Sequence, residues 1–337
     1  MATIRDVAKL AGVSISTVSL ALNETGPVSL ETYQKIWAAA KEVGYAPNPH
    51  AQSLKSGRSR MIGMVVGDIS NPFFGRLLRV VERVSLDKSH LVVVSDSGGL
   101  SRHERAILEH LSNQRVAGVI LSPLGHDPAF SDYLRDLRMP VVLIDQKLEG
   151  FDADFVASDN VLASAMLTEH VIRFGHRRIA HIAGIDGLWT AERRKDGFRA
   201  TMRAAGIEPD ESMIVDGRYD GEGAYAQAMR LLTRSERPTA IVAANNVMAL
   251  GALQAMNDLG FRCPEDISLT SIDDVPWGNV IKPRITMVVQ DVDEMARIAS
   301  EWLFDRINAR DGLAIAPREA ILIPKLVVGQ SVAPPSD

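Results

Sequence analysis

The sequence of 337 residues predicts an α/β protein in which a small helical module precedes a larger body of two doubly wound, parallel-sheet lobes. Two patterns predict this class. Before residue 45 the chain contains three short helical segments, each with its own start signal. From Met61 onward, apolar runs of strand length alternate with amphipathic stretches, which is typical of βαβ units and parallel sheets. The runs form two successive sets of about five, so two similar lobes are expected rather than one large sheet.

Three helices and a glycine-containing turn make up the predicted helix-turn-helix module, which spans residues 1–46. Thr3 precedes the first helix, with Asp6 three residues later as a capping box. Ser14 caps the second helix, and Ser29 caps the third, which ends at Gly44. The residues predicted to face inward are Ile4, Val7, Ala8 and Ala11 in the first helix and Val18, Ala21 and Leu22 in the second. The third helix is predicted to run through Tyr33, Ile36, Trp37 and Ala40.

The second helix lies in GVSISTVSLALN, residues 12–23, and carries bulky apolar residues on two faces. One face holds the predicted core residues, while Ile15 and Leu20 lie on the other beside Ser16 and Ser19. The alternative is that Ile15 and Leu20 pack on the third helix. It is disfavoured because the first face already fills that role. The sequence therefore predicts an outward face that contacts a partner.

Residues 47–60 form a polar, basic connection with one conspicuous apolar residue, Leu54. Asn48 and Pro49 are suited to a helix start and Gly57 to a stop, although a flexible linker is the alternative. Residues 1–60 carry seven Lys and Arg against four Asp and Glu, a balance of +3, whereas the whole chain has a net charge of −5. This uneven charge favours a small N-terminal module that binds a polyanion.

The body is predicted to span residues 61–330. Lobe 1 takes about 61–160 plus 292–322, and lobe 2 takes about 161–291 plus 323–330, because the last strands cross back between the lobes. The tail SVAPPSD, residues 331–337, has no heptad pattern and is expected to be disordered.

Polar residues end five of the predicted strands: Asp96, Asp145, Asn245, Asp273 and Gln290. In open α/β sheets, ligands bind outside the carboxyl ends of the strands. Five such residues facing a cleft between the lobes would make a hydrogen-bonding cage for a hydroxyl-rich ligand. The alternative is that Asp and Asn stand there because loops begin there.

Aromatic and cationic side chains could complete this site. Phe73 and Phe74 open the first helix of the body, and Tyr219 follows a later strand, so all three could stack on a ligand. Arg194 lies early in a predicted helix and could donate hydrogen bonds. The alternatives are core packing for the aromatic residues and solvent exposure for the arginine.

Several classes of protein are disfavoured. The chain lacks the P-loop, GxGxxG, GxSxG and HExxH patterns, and no Cys/His cluster has zinc spacing, so neither an enzyme nor a metal or cofactor site is predicted. His176 and His181 are interpreted as structural or surface residues. Cys263 is the only cysteine, and the start MATIRDVAKL has charges where a signal peptide needs an apolar core. The charge-free stretch 240–257 contains too many amides for a membrane span. A cytoplasmic location is expected.

The sequence resembles the lac-repressor family of bacterial transcription regulators. The similarity lies in TIRDVAKLAGVSISTVSLALN, VGYAPNPHAQSLKSGRS, IGMVVGDISNPFF, SIDD and ITMVVQD, and it covers essentially the whole chain. It implies that the body is similar to periplasmic sugar-binding proteins and that residues 47–60 are a hinge helix. It also implies a homodimer on a pseudopalindromic operator, since the family's tetramerising heptads are absent from the tail.

The resemblance implies roles for individual residues. Ile15, Ser16 and Leu20 match base-reading positions in the major groove, and Leu20 stands where many members have arginine. Leu54 matches a minor-groove wedge, and Lys55 a position that some members use beside it. The matching backbone or flanking positions are Thr3, Ser14, Thr17, Ser19, Asn23 and Tyr45.

The resemblance also implies a small effector between the lobes. The matching contact positions are Phe73, Asp145, Arg194, Tyr219, Asn245, Asp273 and Gln290. Their donors and acceptors suit vicinal hydroxyls, which favours a sugar over a purine. Asn246, where many members have aspartate, departs from the pattern. Two other classes are disfavoured. An enzyme with an accessory DNA module would need a catalytic constellation, and none is found in the sequence. A sugar transport receptor would need export.

Overall fold

The computed structural model describes the chain except residues 1, 24–25, 46–58, 125–127, 138, 275–277, 279, 281, 310–314 and 337. The chain divides into two compact units, Met1–Ser59 and Arg60–Asp337. Nearly all of the predicted hinge helix, including Leu54 and Lys55, lies outside the described residues. That helix and the predicted domain boundaries stay predictions.

The first unit contains three helices: α1 (Ile4–Ala11), α2 (Ile15–Asn23) and α3 (Leu30–Glu42). The predicted caps are confirmed. The backbone N–H of Thr3 donates to Asp6 Oδ2 at 2.8 Å, and the N–H of Thr17 donates to Ser14 Oγ at 3.1 Å. Ser29 caps α3 in the same way at 3.3 Å. Ser14 and Ser29 each satisfy a helix N–H group that has no partner within its own helix, whereas the bond from Thr3 to Asp6 belongs to a capping box.

The core of this unit follows the predicted inward faces of α1 and α2. Val7, Val18 and Ile36 are fully buried at its centre. Trp37 of α3 is 43% exposed, and its ring centroid lies 6.2 Å from that of Tyr33. In three helices this short, the small residues of α3 fill the available space, so the indole ring stays at the surface.

Lobe 1 is built on a six-stranded sheet in the order β11-β5-β4-β3-β1-β2, with every neighbouring pair parallel. Its strands are β1 (Met61–Val66), β2 (Leu91–Asp96), β3 (Val119–Leu121), β4 (Val141–Ile144), β5 (Asp154–Ser158) and β11 (Glu319–Leu322). Helices α4 (Pro72–Asp87) and α11 (Val292–Asn308) cover one face, and α5 (Ser101–Asn113) and α6 (Pro128–Asp136) cover the other. Because both faces are covered, the strands are nearly continuous apolar runs.

Lobe 2 repeats this plan in the order β12-β10-β9-β8-β6-β7. Its strands are β6 (Ile179–Ala183), β7 (Ile214–Asp216), β8 (Ala240–Ala243), β9 (Ser268–Ile272), β10 (Thr286–Val289) and β12 (Lys325–Val327). Helices α7 (Asn160–Arg173) and α8 (Trp189–Ala204) pack on one face, and α9 (Gly221–Leu232) and α10 (Asn246–Asp258) on the other. The predicted fold class is confirmed, with one difference: the edge strand β12 runs antiparallel to β10.

The chain passes between the two sheets three times, after β5, after β10 and after β11. The third passage returns the chain to lobe 2, where the tail follows. Among the described residues, no helix is long and apolar enough to cross a membrane.

The expectation of a disordered tail is wrong for residues 331–336. Ser331 is fully buried, and its hydroxyl accepts from the N–H of Thr286 at 2.8 Å. The N–H of Ala333 donates to Ser268 Oγ at 3.1 Å, and the carbonyl of Ala333 lies 2.8 Å from Nε2 of the buried His176. A serine hydroxyl and backbone groups of the tail make these bonds, so a search for apolar periodicity could not detect them.

Candidate functional site

A cleft of about 370 Å³ lies between the lobes, at the carboxyl ends of the strands. Six of the seven predicted effector-binding residues line it: Phe73, Asp145, Arg194, Tyr219, Asn245 and Asp273. The seventh, Gln290, lies in a neighbouring groove that shares Phe73 and Asp273 with the cleft. Of the two other residues considered, Phe74 lines the cleft and Asp96 does not.

Arg194 is a buried cation of the cleft, only 3% exposed. Its Nε donates to Asn160 Oδ1 at 2.6 Å, and its Nη1 donates to the carbonyl of Ala244. Its guanidinium carbon lies 5.8 Å from the ring centroid of Tyr219. Among the residues that the structure describes, Nη2 has no hydrogen-bond partner. The arginine is thus fixed by two bonds and keeps a donor for a ligand.

Two carboxyl groups, one from each lobe, face this arginine. Asp145 follows β4 and Asp273 follows β9, and they are 8% exposed each. Burial raises the pKa of Asp145 to about 7, opposed by the charge of Arg194 and reinforced by that of Asp273. Burial also raises the pKa of Asp273. Carboxyl groups removed from water in this way are typical of functional sites.

The backbone at both aspartates is unusual. The φ angle is +65° at Asp145 and +68° at Asp273, in a left-handed region that side-chain-bearing residues visit rarely. Each residue stands where its strand turns into the cleft. Such conformations cluster at ligand sites, where the surrounding structure holds them in place.

Tyr219 and Asn245 belong to lobe 2. The ring of Tyr219 lies directly over Gly184, where a Cβ atom would be 2.0 Å from the ring, so only glycine leaves room for it. The side chain of Asn245 caps α10, since its Oδ1 accepts from the N–H of Met248 at 2.8 Å. Its Nδ2 lies 3.4 Å from the carbonyl of Tyr219. Asn245 therefore begins the helix and supports the aromatic residue.

Gln290 acts on the cleft indirectly. Its Nε2 donates to Asp273 Oδ1 at 2.7 Å, which orients that carboxyl group. Phe73 also has two environments, because it is 7% exposed and belongs to the core of lobe 1 while its edge lines the cleft. For this residue, the core and the site interpretations both hold.

The buried polar residues of the cleft that the sequence did not predict include Asn71, Ser122, Gln146 and Thr190. Asn160, also not predicted, lies behind the cleft and accepts from Arg194. Gln146 directly follows the predicted strand-end residue Asp145, and Asn160 lies two residues after β5, so extending the strand-end rule by one or two residues would have found both. Thr190 opens α8 and had no comparable signal. Asn246 donates to the carbonyl of Asp274 at 2.8 Å and does not line the cleft.

The outward face of α2 is a second candidate site. Ile15 is 46% exposed and Leu20 is 38% exposed, whereas Val18 is fully buried on the opposite side. The hydroxyl of Ser14 lies 2.7 Å from those of Ser16 and Thr17. The prediction of one core face and one outward apolar face is confirmed.

The remaining predicted DNA-contact positions differ in their surroundings. The hydroxyl of Thr3 donates to Asp6, Ser19 is half-buried, and Tyr45 packs partly against the three-helix core. Asn23 ends α2, but its side chain lies outside the described residues, as Leu54 and Lys55 do.

Comparison with known proteins relates both sites to one family. Residues 3–48 match the model of bacterial regulatory proteins of the lacI family, and residues 168–332 match a periplasmic binding protein-like domain. The ribose operon repressor of Escherichia coli K12 is 34% identical over 309 residues, which is 91% of this chain and 94% of that protein. The chain belongs to the lacI family.

Two solved structures extend the likeness over the whole chain. The lac repressor dimer bound to operator and the anti-inducer ONPF has a TM-score of 0.85 at 26% identity, covering 98% of this chain and 99% of that one. The transcriptional regulator CelR in complex with cellobiose has a TM-score of 0.74 at 29% identity, covering 98% and 100%. This lacI-family member is a DNA-binding transcriptional regulator and not an enzyme.

Proposed function

We propose that this regulator is a cytoplasmic, homodimeric repressor whose affinity for a pseudopalindromic operator is changed by a sugar bound between its lobes. The observation that carries the proposal is the cleft, in which two buried carboxyl groups, an arginine with a spare donor and an aromatic face converge. Sugars present vicinal hydroxyls that donate to carboxyl oxygens and accept from guanidinium, and an apolar ring face that packs on tyrosine.

The effector residues of the proposal are the seven named from the sequence, with Gln290 holding Asp273 in place. Two relatives support a sugar, since one is named a ribose operon repressor and the other is complexed with cellobiose. Two acidic side chains, Asp145 and Asp273, also disfavour an anionic ligand, because the negative charge of either one would repel it.

In the proposed DNA complex, α2 lies in the major groove. Its exposed Ile15 and Leu20 would contact thymine methyl groups, and Ser16 would bond to a base edge. Thr3, Ser14, Thr17, Ser19, Asn23 and Tyr45 would contact or flank the phosphate backbone, and the hinge segment would insert Leu54, with Lys55 beside it, into the minor groove.

A homodimer is supported by the free edge of the lobe 1 sheet. Among the strands that the structure describes, β2 pairs with β1 alone, and its Leu91 and Val94 are 62% and 39% exposed. An exposed apolar edge strand is a template for pairing with another chain. Two-fold symmetry would also match two operator half-sites.

The test is thermal unfolding against a panel of sugars, sugar phosphates and purines, followed by operator titration with each compound that stabilises the protein. A true effector at 100 times its dissociation constant should add about 2.7 kcal/mol of stability. The gain should vanish in Asp273→Ala and Arg194→Ala and persist in Glu236→Ala, a control at an exposed position. Stabilisation by purines or phosphates alone would contradict the proposed sugar site.

A further inference from the structure

Gln146 and Thr190 connect the two lobes directly. Gln146 follows β4 in lobe 1, and Thr190 lies in the first turn of α8 in lobe 2. Gln146 Nε2 donates to Thr190 Oγ1 at 2.7 Å, and the N–H of Thr190 donates to Gln146 Oε1 at 3.2 Å. They are 5% and 1% exposed. Both ends of one amide are thus used on a single residue of the opposite lobe, which fixes the amide orientation.

The neighbour of Thr190 enters lobe 1 as well. Trp189 packs against the lobe 1 core, with its ring edge-on to Phe155 of β5 at a centroid distance of 5.2 Å. Phe155 is 2% exposed. Trp189 and Thr190, adjacent residues in the first turn of α8, therefore both contact lobe 1.

The same threonine reaches the cleft. Its Oγ1 lies 2.7 Å from the hydroxyl of Tyr219, the residue whose ring lines the cleft beside Arg194. A threonine hydroxyl can accept from Gln146 and still share one further hydrogen bond with a phenol. The hydroxyl oxygen of Thr190 thus connects the amide of Gln146 in lobe 1 to the phenol hydroxyl of Tyr219 in lobe 2.

We propose that Gln146, Thr190 and Tyr219 form a clasp that holds the lobes in the described arrangement and couples the lobe angle to whatever lies against Tyr219. Gln146 and Thr190 are positioning residues, because they act through Tyr219 and through the angle between the lobes. The consequence for regulation rests on the proposed effector cleft. A ligand that binds Tyr219 differently in the two lobe arrangements shifts their populations.

The experiment measures the distance between the lobes in the full chain, without DNA or ligand. Spin labels are placed at Asp87→Cys in lobe 1 and Glu236→Cys in lobe 2, both exposed, in a Cys263→Ser background, and labelled protein is diluted with unlabelled protein. Thr190→Val and Gln146→Leu should each raise the ratio of longer to shorter separations about fivefold, as expected for losing a buried hydrogen bond.

Three further variants make the result specific to the clasp. Thr201→Val is the matched control, because Thr201 lies on the same helix and, among the described residues, its hydroxyl bonds to the carbonyl of Gly197 within α8 alone, at 2.8 Å. Its distances should equal those of the parent. Thr190→Ser keeps the hydroxyl and should restore the parent distribution. The double variant Gln146→Leu/Thr190→Val should not exceed the larger single effect, since both changes break the same link.

Unchanged distances in Thr190→Val, or an equal change in Thr201→Val, would overturn the clasp. Because no ligand is present, this failure would leave the sugar proposal standing. If no sugar stabilises the protein, the distances between the spin labels still decide whether the clasp exists.

Discussion

Asp145 is a single carboxyl group whose surroundings favour its neutral form. It is buried in the cleft, its backbone has a positive φ angle, and its pKa is raised to about 7, first by burial and further by Asp273. A group whose folded-state pKa lies above its unfolded value binds its proton more tightly in the native state. Stability is therefore lost as the pH rises from the unfolded pKa toward the folded one.

Replacing Asp145 with Asn removes this titration while keeping the shape of the side chain. The free energy of unfolding of Asp145→Asn, relative to the parent, should increase between pH 5 and pH 8, by up to about 2 kcal/mol. Urea unfolding of both proteins at the two pH values measures the difference. An equal gap at both values would mean that Asp145 titrates normally in the folded chain.

Leu20 is a single residue expected to set base preference. It is 38% exposed on α2 and lies close to Gly26, where an added Cβ would be 2.9 Å from Leu20 Cδ2. A leucine contacts a thymine methyl group but cannot make the bidentate guanine contact of an arginine. The operator should therefore lack the guanine that arginine-bearing relatives would read at that base pair.

Leu20→Arg should create a preference for guanine at that position, worth about 1–3 kcal/mol. Selection from random DNA with the parent and the variant measures it. Leu30→Arg adds the same charge at an exposed position in α3, so its affinity can rise while its base preference stays that of the parent. A guanine already selected by the parent protein would refute the role assigned to Leu20.

Among the structural elements, β5, α11 and β11 are tied together by a buried ion cluster. Asp154 of β5 is fully buried and accepts from Arg306 Nε at 2.7 Å and from Arg318 Nη2 at 2.8 Å. Burial alone would raise the pKa of Asp154, but the hydrogen bonds from the two arginines outweigh it and leave that pKa lowered. Arg306 of α11 is 5% exposed, so losing the carboxylate removes the negative charge that balances a buried positive one.

Asp154→Ala should lower the free energy of unfolding by about 3–5 kcal/mol, the usual loss when one partner of a buried ion pair is removed. Glu319→Ala is the comparison, because Glu319 pairs with Lys147 at 2.6 Å in an exposed position, where an ion pair contributes less than about 1 kcal/mol. Urea unfolding of both variants gives the two values. Similar losses in the free energy of unfolding would show that the buried ion cluster stabilises the protein no more than an exposed ion pair does.

The elements also show how far the sequence determines this structure. The caps Thr3, Ser14 and Ser29 were predictable because a cap depends on residues three positions apart. The carboxyl ends of buried strands were predictable because each apolar run ends abruptly at a polar residue. Two of these polar residues are Asp145 and Asp273 of the cleft. The exposure of Trp37, the turn of Gln290 toward Asp273 and the ordered tail were not predictable, since each depends on contacts between segments far apart in the chain.

At the scale of the whole molecule, the proposed homodimer is supported by an exposed edge of the lobe 1 sheet. The edge strand β2 carries exposed Leu91 and Val94. A lysine at such an edge opposes pairing with a second chain, because its charge would lose water on association.

Leu91→Lys should shift the protein toward monomer at micromolar concentration and weaken operator binding by at least tenfold, while single-chain folding is retained. Sedimentation velocity and DNA titration measure the two effects. Ile323→Lys is the control, since Ile323 is 74% exposed between β11 and β12 and lies outside the proposed contact. A dimer that persists in Leu91→Lys would place the interface elsewhere.

The three passages of the chain between the sheets constrain how this protein can be cut and recombined. Because lobe 1 contains residues from both ends of the body and lobe 2 also receives the tail, neither lobe corresponds to one uninterrupted stretch of gene. A single genetic crossover near codon 60 can exchange the entire ligand-binding body for that of another regulator, whereas no single crossover can exchange one lobe. New combinations of DNA specificity and ligand specificity should therefore arise by joining whole bodies to new DNA-binding modules, and specificity within a body should change by point substitution.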